Sequence, residues 1–308
     1  MLANRIHRFG GPEVIEFEEI VQPEPSFGEV LVRVRSAGVG PWDSLIRRGG
    51  SALGHSLPLT LGSDLSGTIA SVGPGVSSFE IGDEVYGVTN SLFIGAYAEF
   101  AVASASKVAA RPKSLSFAEA ASVPVIAITA YQMLFEHAQL RSDHTVLILG
   151  ATGNVGAFAT QLASAHGATV IGATPSREHE RALELGANHV IETRDGGLRR
   201  WSGKVDVVID TVGSDLQRDA LATLKPGGIF VSAVAQPDPS LLKEAAVRGV
   251  FFYVDVKTAD LAHVARSLDQ GVLKARVGEI LHLRQARTAH EMLDGLLPRP
   301  GGKIVLEV

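Results

Sequence analysis

Gly150, Gly153 and Gly156 stand three residues apart, directly after the apolar run Val146, Leu147, Ile148 and Leu149. Small residues at that spacing, between a buried strand and the start of a helix, suit one kind of chemistry. They let the backbone turn tightly and let a pyrophosphate approach, while the first free N–H groups and the positive end of the helix dipole favour its charge. The usual fingerprint is G-x-G-x-x-G. Here Ala151 takes the place of the first glycine, so the match is A-x-G-x-x-G with Gly150 just upstream. Taken alone, the motif reads equally well as a glycine-rich turn with no ligand.

A second group of residues bears on which dinucleotide such a turn would take. A carboxylate at the end of the next strand would bond the 2′-hydroxyl of NAD. The chain instead reads Ala173, Thr174, Pro175, Ser176, Arg177. An acid there would repel a 2′-phosphate, whereas Arg177 can pair with one and the hydroxyls of Thr174 and Ser176 can donate to it. The pattern predicts NADPH rather than NADH. Two other readings stay open: Thr174 as a helix N-cap ahead of Pro175, and Arg177 as a solvated first-turn side chain.

These residues need a strand–helix–strand unit to position them, and the surrounding pattern supplies one. A helix from Val155 to His166 is stopped by Gly167, and 168–173 forms a second apolar strand. Strands at 189–192, 205–210, 229–233 and 250–255 then alternate with helices at 216–224 and 240–247, which completes a six-stranded, doubly wound parallel sheet. The first 110 residues follow another rule. Glu29 to Ser36 alternates apolar with charged at period two, and glycines at 62, 67, 73, 75, 82 and 87 punctuate short strands, the pattern of a small antiparallel barrel. Pro124 interrupts a helical stretch between the two regions. The expected organisation is a barrel domain at 1–123, joined by 258–308 folding back onto it, and a nucleotide domain at 124–257.

Composition narrows the function classes. In 308 residues, 45% are apolar and 20% charged, as in a globular protein able to bury two cores. A net charge of −5 without a basic block argues against nucleic acid or an anionic membrane as the main partner. The absence of cysteine excludes disulfides, thiolate catalysis and zinc sites built on Cys. The N-terminal stretch lacks an apolar h-region, and no run of 18 apolar residues occurs, so a cytoplasmic protein is expected.

The motifs AGVGPWD (37–43), PLTLGSDLSGTIASVG (58–73), GDEVYG (82–87), AYAEF (96–100), ITAY (128–131), ATGNVG (151–156), LGA (185–187), DTVG (210–213), KPGG (225–228) and GKIVLEV (302–308) occur in this order over nearly the whole length. The chain thereby resembles the medium-chain dehydrogenase/reductase superfamily, in its zinc-free quinone oxidoreductase branch with zeta-crystallin-like members. The resemblance implies an α/β protein with a GroES-like antiparallel β-barrel catalytic domain and a Rossmann domain. It implies hydride transfer from NADPH to a quinone, or alternatively to an α,β-unsaturated ketone or enoyl thioester. A non-catalytic NADPH-binding structural or sensor protein is the opposing class.

By the same resemblance, Thr129 sits beside the nicotinamide, Gly153, Asn154 and Val155 cradle the pyrophosphate, and Ala151 is cofactor-binding with them. Thr211 and Val212 follow the adenosine side, and Val234, Phe251 and Phe252 close over the nicotinamide. Lys303, or Arg299, would add positive charge near the 2′-phosphate, and Thr193 stands near a tyrosine that relatives use there. Gly40, Pro41 and Trp42 would line the substrate pocket. Zinc-dependent relatives place Cys at Gly40 and a His-Glu pair at Ser63 and Asp64, so no metal is expected. His55, His137 and the other histidines read as surface or core residues. Zinc-free relatives usually carry Asn at position 40, and Gly40 offers no such donor. Tyr86 and Tyr97 belong to barrel motifs, so no catalytic acid is assigned and solvent is the expected proton source. A homodimer through the edge strand near Phe251 is implied by the family.

Overall fold

The computed structural model describes residues 1–192, 196–213 and 216–308. The chain divides into two compact units, one of Met1–Val125 with Asp255–Val308 and one of Ile126–Val254.

The first unit opens with β1 (Leu2–Ile6) and β2 (Ile15–Glu19), then β3 (Glu29–Val39), α1 (Pro41–Arg47) and β4 (Leu59–Thr60). It continues through β5 (Asp64–Val72), β6 (Glu84–Val88), β7 (Phe100–Ser104), β8 (Val108–Ala110) and α2 (Phe117–Ala121). The long strand β3 organises the sheet, pairing antiparallel with both β5 and β7, and β5 continues to β6 and β8. Its alternation has the expected cause: Val32 and Val34 are buried while Arg33 and Arg35 are exposed. The helix α2 starts at a reciprocal cap, with Ser116 Oγ accepting from the Glu119 N–H and the Glu119 carboxylate accepting from the Ser116 N–H.

After α3 (Pro124–Tyr131), the second unit contains β9 (Thr145–Leu149), α4 (Asn154–Ala165), β10 (Thr169–Ala173), α5 (His179–Glu184) and β11 (His189–Ile191). It continues with β12 (Val205–Asp210), α6 (Gln217–Leu221), β13 (Leu224–Ser232), α7 (Pro239–Ala245) and β14 (Arg248–Phe251). The six strands pair in parallel in the order β11-β10-β9-β12-β13-β14, the doubly wound arrangement whose chain order reverses beside β9. Because helices cover both faces, the strands are apolar throughout rather than alternating, and Val146, Leu147, Ile148 and Leu149 are all buried.

The chain then returns to the first unit with α8 (Thr258–Asp269), β15 (Val277–His282), α9 (Ala286–Leu293) and β16 (Lys303–Glu307). β16 pairs antiparallel with β3, Ile304 opposite Val39 and Glu307 opposite Ser36, and pairs parallel with β15. No helix among the described residues is long and apolar enough to cross a membrane.

Candidate functional site

In the second unit the glycine turn between β9 and α4 is built by close approach. Gly150 has φ +75°, and Cβ atoms there would meet Val212 Cγ2 at 2.7 Å and Thr211 Oγ1 at 2.9 Å. A Cβ on Gly156 would overlap the Gly150 carbonyl, so this glycine lets α4 pack directly on the turn. Gly153 caps the helix with extended backbone and is exposed. The helix runs for twelve residues, and its first amides, from Asn154 and Val155, have no intrahelical acceptor to bind. They are the groups on which an anion can sit.

Ala151 behaves differently from the expectation. Its N–H donates to the Ala173 carbonyl at 3.2 Å and the residue is fully buried. It shapes the turn by packing against Gly172 and has no amide to offer a pyrophosphate.

Beyond β10, Ser176 and Arg177 lie exposed in a short helical turn. Thr174 is not an N-cap. It is buried, and its hydroxyl lies 2.7 Å from that of Thr152, a contact that the motif reading missed because Thr152 occupies a variable position of the fingerprint. Thr193 lies outside the described residues. At the end of β12, Asp210 accepts from the Val212 and Gly213 N–H groups and from Ser232 Oγ, which in turn accepts from the Val234 N–H. This pair of strand-end residues ties the turns carrying Thr211, Val212 and Val234 to one another. Thr211 Oγ1 donates to the Leu149 carbonyl, and Val212 and Val234 are half-exposed. Thr129 is buried on α3, and Phe252 packs on His137 with ring centres 4.2 Å apart, while Phe251 contacts Tyr253.

In the first unit, Gly40, Pro41 and Trp42 stand at the entry to α1, with Pro41 exposed and Trp42 half-buried. Asp43 Oδ2 accepts from the Gly40 N–H at 2.8 Å and from the Tyr97 hydroxyl at 2.9 Å. Burial outweighs these bonds and pushes the Asp43 carboxyl up to about 7. Trp42 Nε1 donates to Ser63 Oγ, and Lys303 Nζ lies 4.2 Å from the indole centre.

Lys303 takes a different place from the expected one. It is fully buried and donates to Asp64 Oδ2 at 3.0 Å, so its charge is held inside this unit rather than offered to a phosphate. Burial raises the Asp64 carboxyl, against the pull of Lys303. The residues at the ligand positions of zinc-dependent relatives therefore do not fit a catalytic zinc. Gly40 has no side chain, Ser63 is taken by Trp42, and Asp64 is neutralised by an ammonium. One group of possible metal ligands occurs among the described residues, His7 just after β1 with Glu16 and Glu18 on β2, where Glu18 is already held by Arg5 and His7.

A second buried network holds the other end of α1. Arg47 Nη2 donates to Asp294 Oδ2 at 2.6 Å, its Nη1 lies 2.9 Å from His290 Nδ1, and its Nε donates to the Gly10 carbonyl. Burial, then the neighbouring Arg47 charge, pushes the His290 imidazole down to about 3, so it is neutral. For Asp294, burial would raise the carboxyl, but bonds from Arg48, Ser44 and Arg47 bring it down to about 2. Tyr86 donates to the Leu261 carbonyl, and both Tyr86 and Tyr97 are fully buried with their hydroxyls raised, first by burial. Both are structural anchors.

Comparison with known proteins agrees with this arrangement. An alcohol dehydrogenase GroES-like domain family model matches residues 26–113, and a zinc-binding dehydrogenase family model matches residues 185–306. The chain is 33% identical to a quinone oxidoreductase of Rattus norvegicus, over 99% of this chain and 98% of the relative. The solved quinone oxidoreductase from Coxiella burnetii superposes with a TM-score of 0.91 at 30% identity, covering 100% of this chain and 99% of that one. The Escherichia coli quinone oxidoreductase, solved in complex with NADPH, gives a TM-score of 0.88 at 28% identity, covering 99% of this chain and 100% of that one. With a glycine turn on a doubly wound sheet, a GroES-like unit and an NAD(P)H-dependent oxidoreductase likeness over the full length, the chain belongs to the medium-chain dehydrogenase/reductase superfamily, in its zinc-free quinone oxidoreductase-like branch.

Proposed function

We propose that the chain is an NADPH-dependent reductase that works without zinc and passes a hydride to a quinone or another conjugated carbonyl. The observation that carries the coenzyme choice is the end of β10, where Ser176 and Arg177 are exposed and no acid stands between Ala173 and Arg177. The residues fit the coenzyme. An open cradle at Gly153, the amides of Asn154 and Val155, and the guanidinium of Arg177 supply donors for a pyrophosphate and a 2′-phosphate.

Bound NADPH would supply the hydride. In this reading Gly153, Asn154 and Val155 hold the pyrophosphate, Ser176 and Arg177 hold the 2′-phosphate, and Thr211, Val212 and Val234 border the coenzyme on turns fixed by Asp210 and Ser232. Thr129 and Phe252 limit its nicotinamide end, and Gly40, Pro41 and Trp42 contact the acceptor. The proton that completes reduction comes from solvent. Among the described residues β14 is the terminal strand of its sheet, and a second copy pairing along it would make the homodimer that the family resemblance implies.

The test is oxidation of NADPH followed at saturating coenzyme against a panel of quinones, enones and an enoyl thioester, repeated with NADH and with a chelator. Turnover of a quinone, faster with NADPH than with NADH and indifferent to the chelator, is expected. Turnover confined to enones or the thioester would move the substrate class. Tight NADPH binding with no turnover would instead support the non-catalytic reading.

A further inference from the structure

The glycine turn is stitched to the end of β10. The N–H groups of Gly150 and Ala151 both donate to the Ala173 carbonyl, at 2.9 and 3.2 Å. The residues that follow then meet, with Thr152 Oγ1 lying 2.7 Å from Thr174 Oγ1.

A bond between two hydroxyls uses one of their two protons, so the other needs a second acceptor or stays free. Burial decides which one is free. Thr174 is 2% exposed, and among the described residues its hydroxyl has Thr152 as its one partner. If Thr152 donated, the Thr174 proton would be buried with no acceptor, an arrangement that folded proteins avoid. Thr174 therefore donates and Thr152 accepts. The proton left over belongs to Thr152, a half-buried residue of the turn, and no acceptor for it occurs among the described residues. Other hydroxyls around the turn are spent inside the protein: Thr160 on the Ala151 and Gly156 carbonyls, Thr211 on the Leu149 carbonyl and Ser232 on Asp210. Thr152 also stands between the two sets of phosphate donors. It directly precedes Gly153 and the amides of Asn154 and Val155, while its partner Thr174 precedes Ser176 and Arg177.

Resting on the coenzyme reading above, we propose that Thr152 is a further specificity-determining residue whose hydroxyl donates to the 2′-phosphate of NADPH, and that Thr174 is the positioning residue that turns this hydroxyl outward. The tie to the end of β10, where the adenosine ribose is read, favours the 2′-phosphate over the pyrophosphate. An ionised phosphate oxygen accepts the free proton in a charge-assisted bond, which the ribose hydroxyl of NADH cannot match.

The test is titration calorimetry of adenosine 2′,5′-bisphosphate, AMP, NADPH and NADH against wild type, Thr152→Val, Thr152→Ser and Thr174→Val. The two adenosine probes carry no nicotinamide, so the readout does not depend on turnover. Thr152→Val keeps the shape and removes the hydroxyl. It is expected to weaken the bisphosphate and NADPH about tenfold and to leave AMP and NADH within about twofold. Thr152→Ser should keep the wild-type ratio. Thr174→Val lets the Thr152 hydroxyl rotate and should weaken the bisphosphate about threefold. If Thr152→Val folds poorly, Thr152→Ala reads the same ratio. An unchanged bisphosphate-to-AMP ratio in Thr152→Val overturns the inference while the coenzyme reading stands, and so does an equal loss for AMP, the mark of a merely structural role. An unchanged ratio in Thr174→Val overturns the positioning role. Wild type that binds none of the four probes overturns the coenzyme reading and this inference with it.

Discussion

The two units treat charge in opposite ways. In the second, the strands are lined by Leu147, Leu149, Ile171, Val208 and Phe230, and polar groups gather at the strand ends, where Asp210, Ser232 and the Thr152–Thr174 pair fix turns. In the first, Asp43, Arg47, Asp64 and Lys303 are fully buried beside the sheet. The contrast teaches that the glycine turn of the second unit depends on backbone and close packing, which glycine spacing encodes. The entry and exit of α1 in the first unit depend on buried charges, with Lys303 and Asp64 beside Trp42 and Arg47 bound to Asp294. Buried pairs of this kind are a poor source of net stability, but losing one partner is costly.

The sharpest break of the contrast is Lys303→Met, which leaves Asp64 buried and unpaired. It should lower unfolding free energy by about 3–5 kcal/mol in denaturant titration, and the double variant Asp64→Asn/Lys303→Met should recover much of that loss. If the single variant is as stable as wild type, the pair does not hold the first unit.

Next in size is a pH effect in which two buried groups oppose each other. Asp43, raised from 3.8 to about 7, takes up its proton in the folded state first, so its contribution grows as pH falls from 7 towards 3.8. His290, lowered from 6.5 to about 3, must stay neutral when folded, so its contribution is lost as pH falls from 6.5 towards 3. Each is worth roughly 2 kcal/mol between pH 7 and pH 5, with opposite sign. Relative to wild type, His290→Gln should gain stability on acidification and Asp43→Asn should lose it. Parallel pH profiles for all three proteins would contradict the assignment.

In the second unit the matching perturbation is steric. Gly156→Ala forces α4 off the Gly150 carbonyl, at about 1–3 kcal/mol, and should weaken coenzyme binding in calorimetry more than Gly203→Ala, where a Cβ meets open space and the strain comes from φ +65° alone. The smallest effect belongs to a solvated pair. Arg141→Ala removes the exposed Arg141–Asp143 bridge and should leave the melting temperature unchanged.

Much of this architecture was legible in the sequence because it follows from periodicity. Parallel strands covered on both faces read as apolar runs, and β3 reads as alternation. The glycine turn was legible too, but not which amides stay free. Ala151 occupies a fingerprint position, yet its N–H is consumed by Ala173. The contact between the Thr174 and Thr152 hydroxyls is not legible, because the two residues stand 22 positions apart. Nothing local in the sequence marks the bond from Lys303 to Asp64, 239 residues distant, and the resemblance alone points Lys303 or Arg299 at a phosphate. The glycine at position 40 was noticed as a departure. That a Cβ there would overlap the Trp42 indole needs coordinates.

The proposed coenzyme site holds a phosphorylated dinucleotide on the turn at 150–156 with Arg177 at its extra phosphate. Titration calorimetry of NADPH and NADH against wild type and Arg177→Glu tests it directly. Wild type should bind NADPH at least about tenfold more tightly than NADH, and Arg177→Glu should lose or invert that preference. An undiminished preference in Arg177→Glu, or no binding of either coenzyme to wild type, would contradict it.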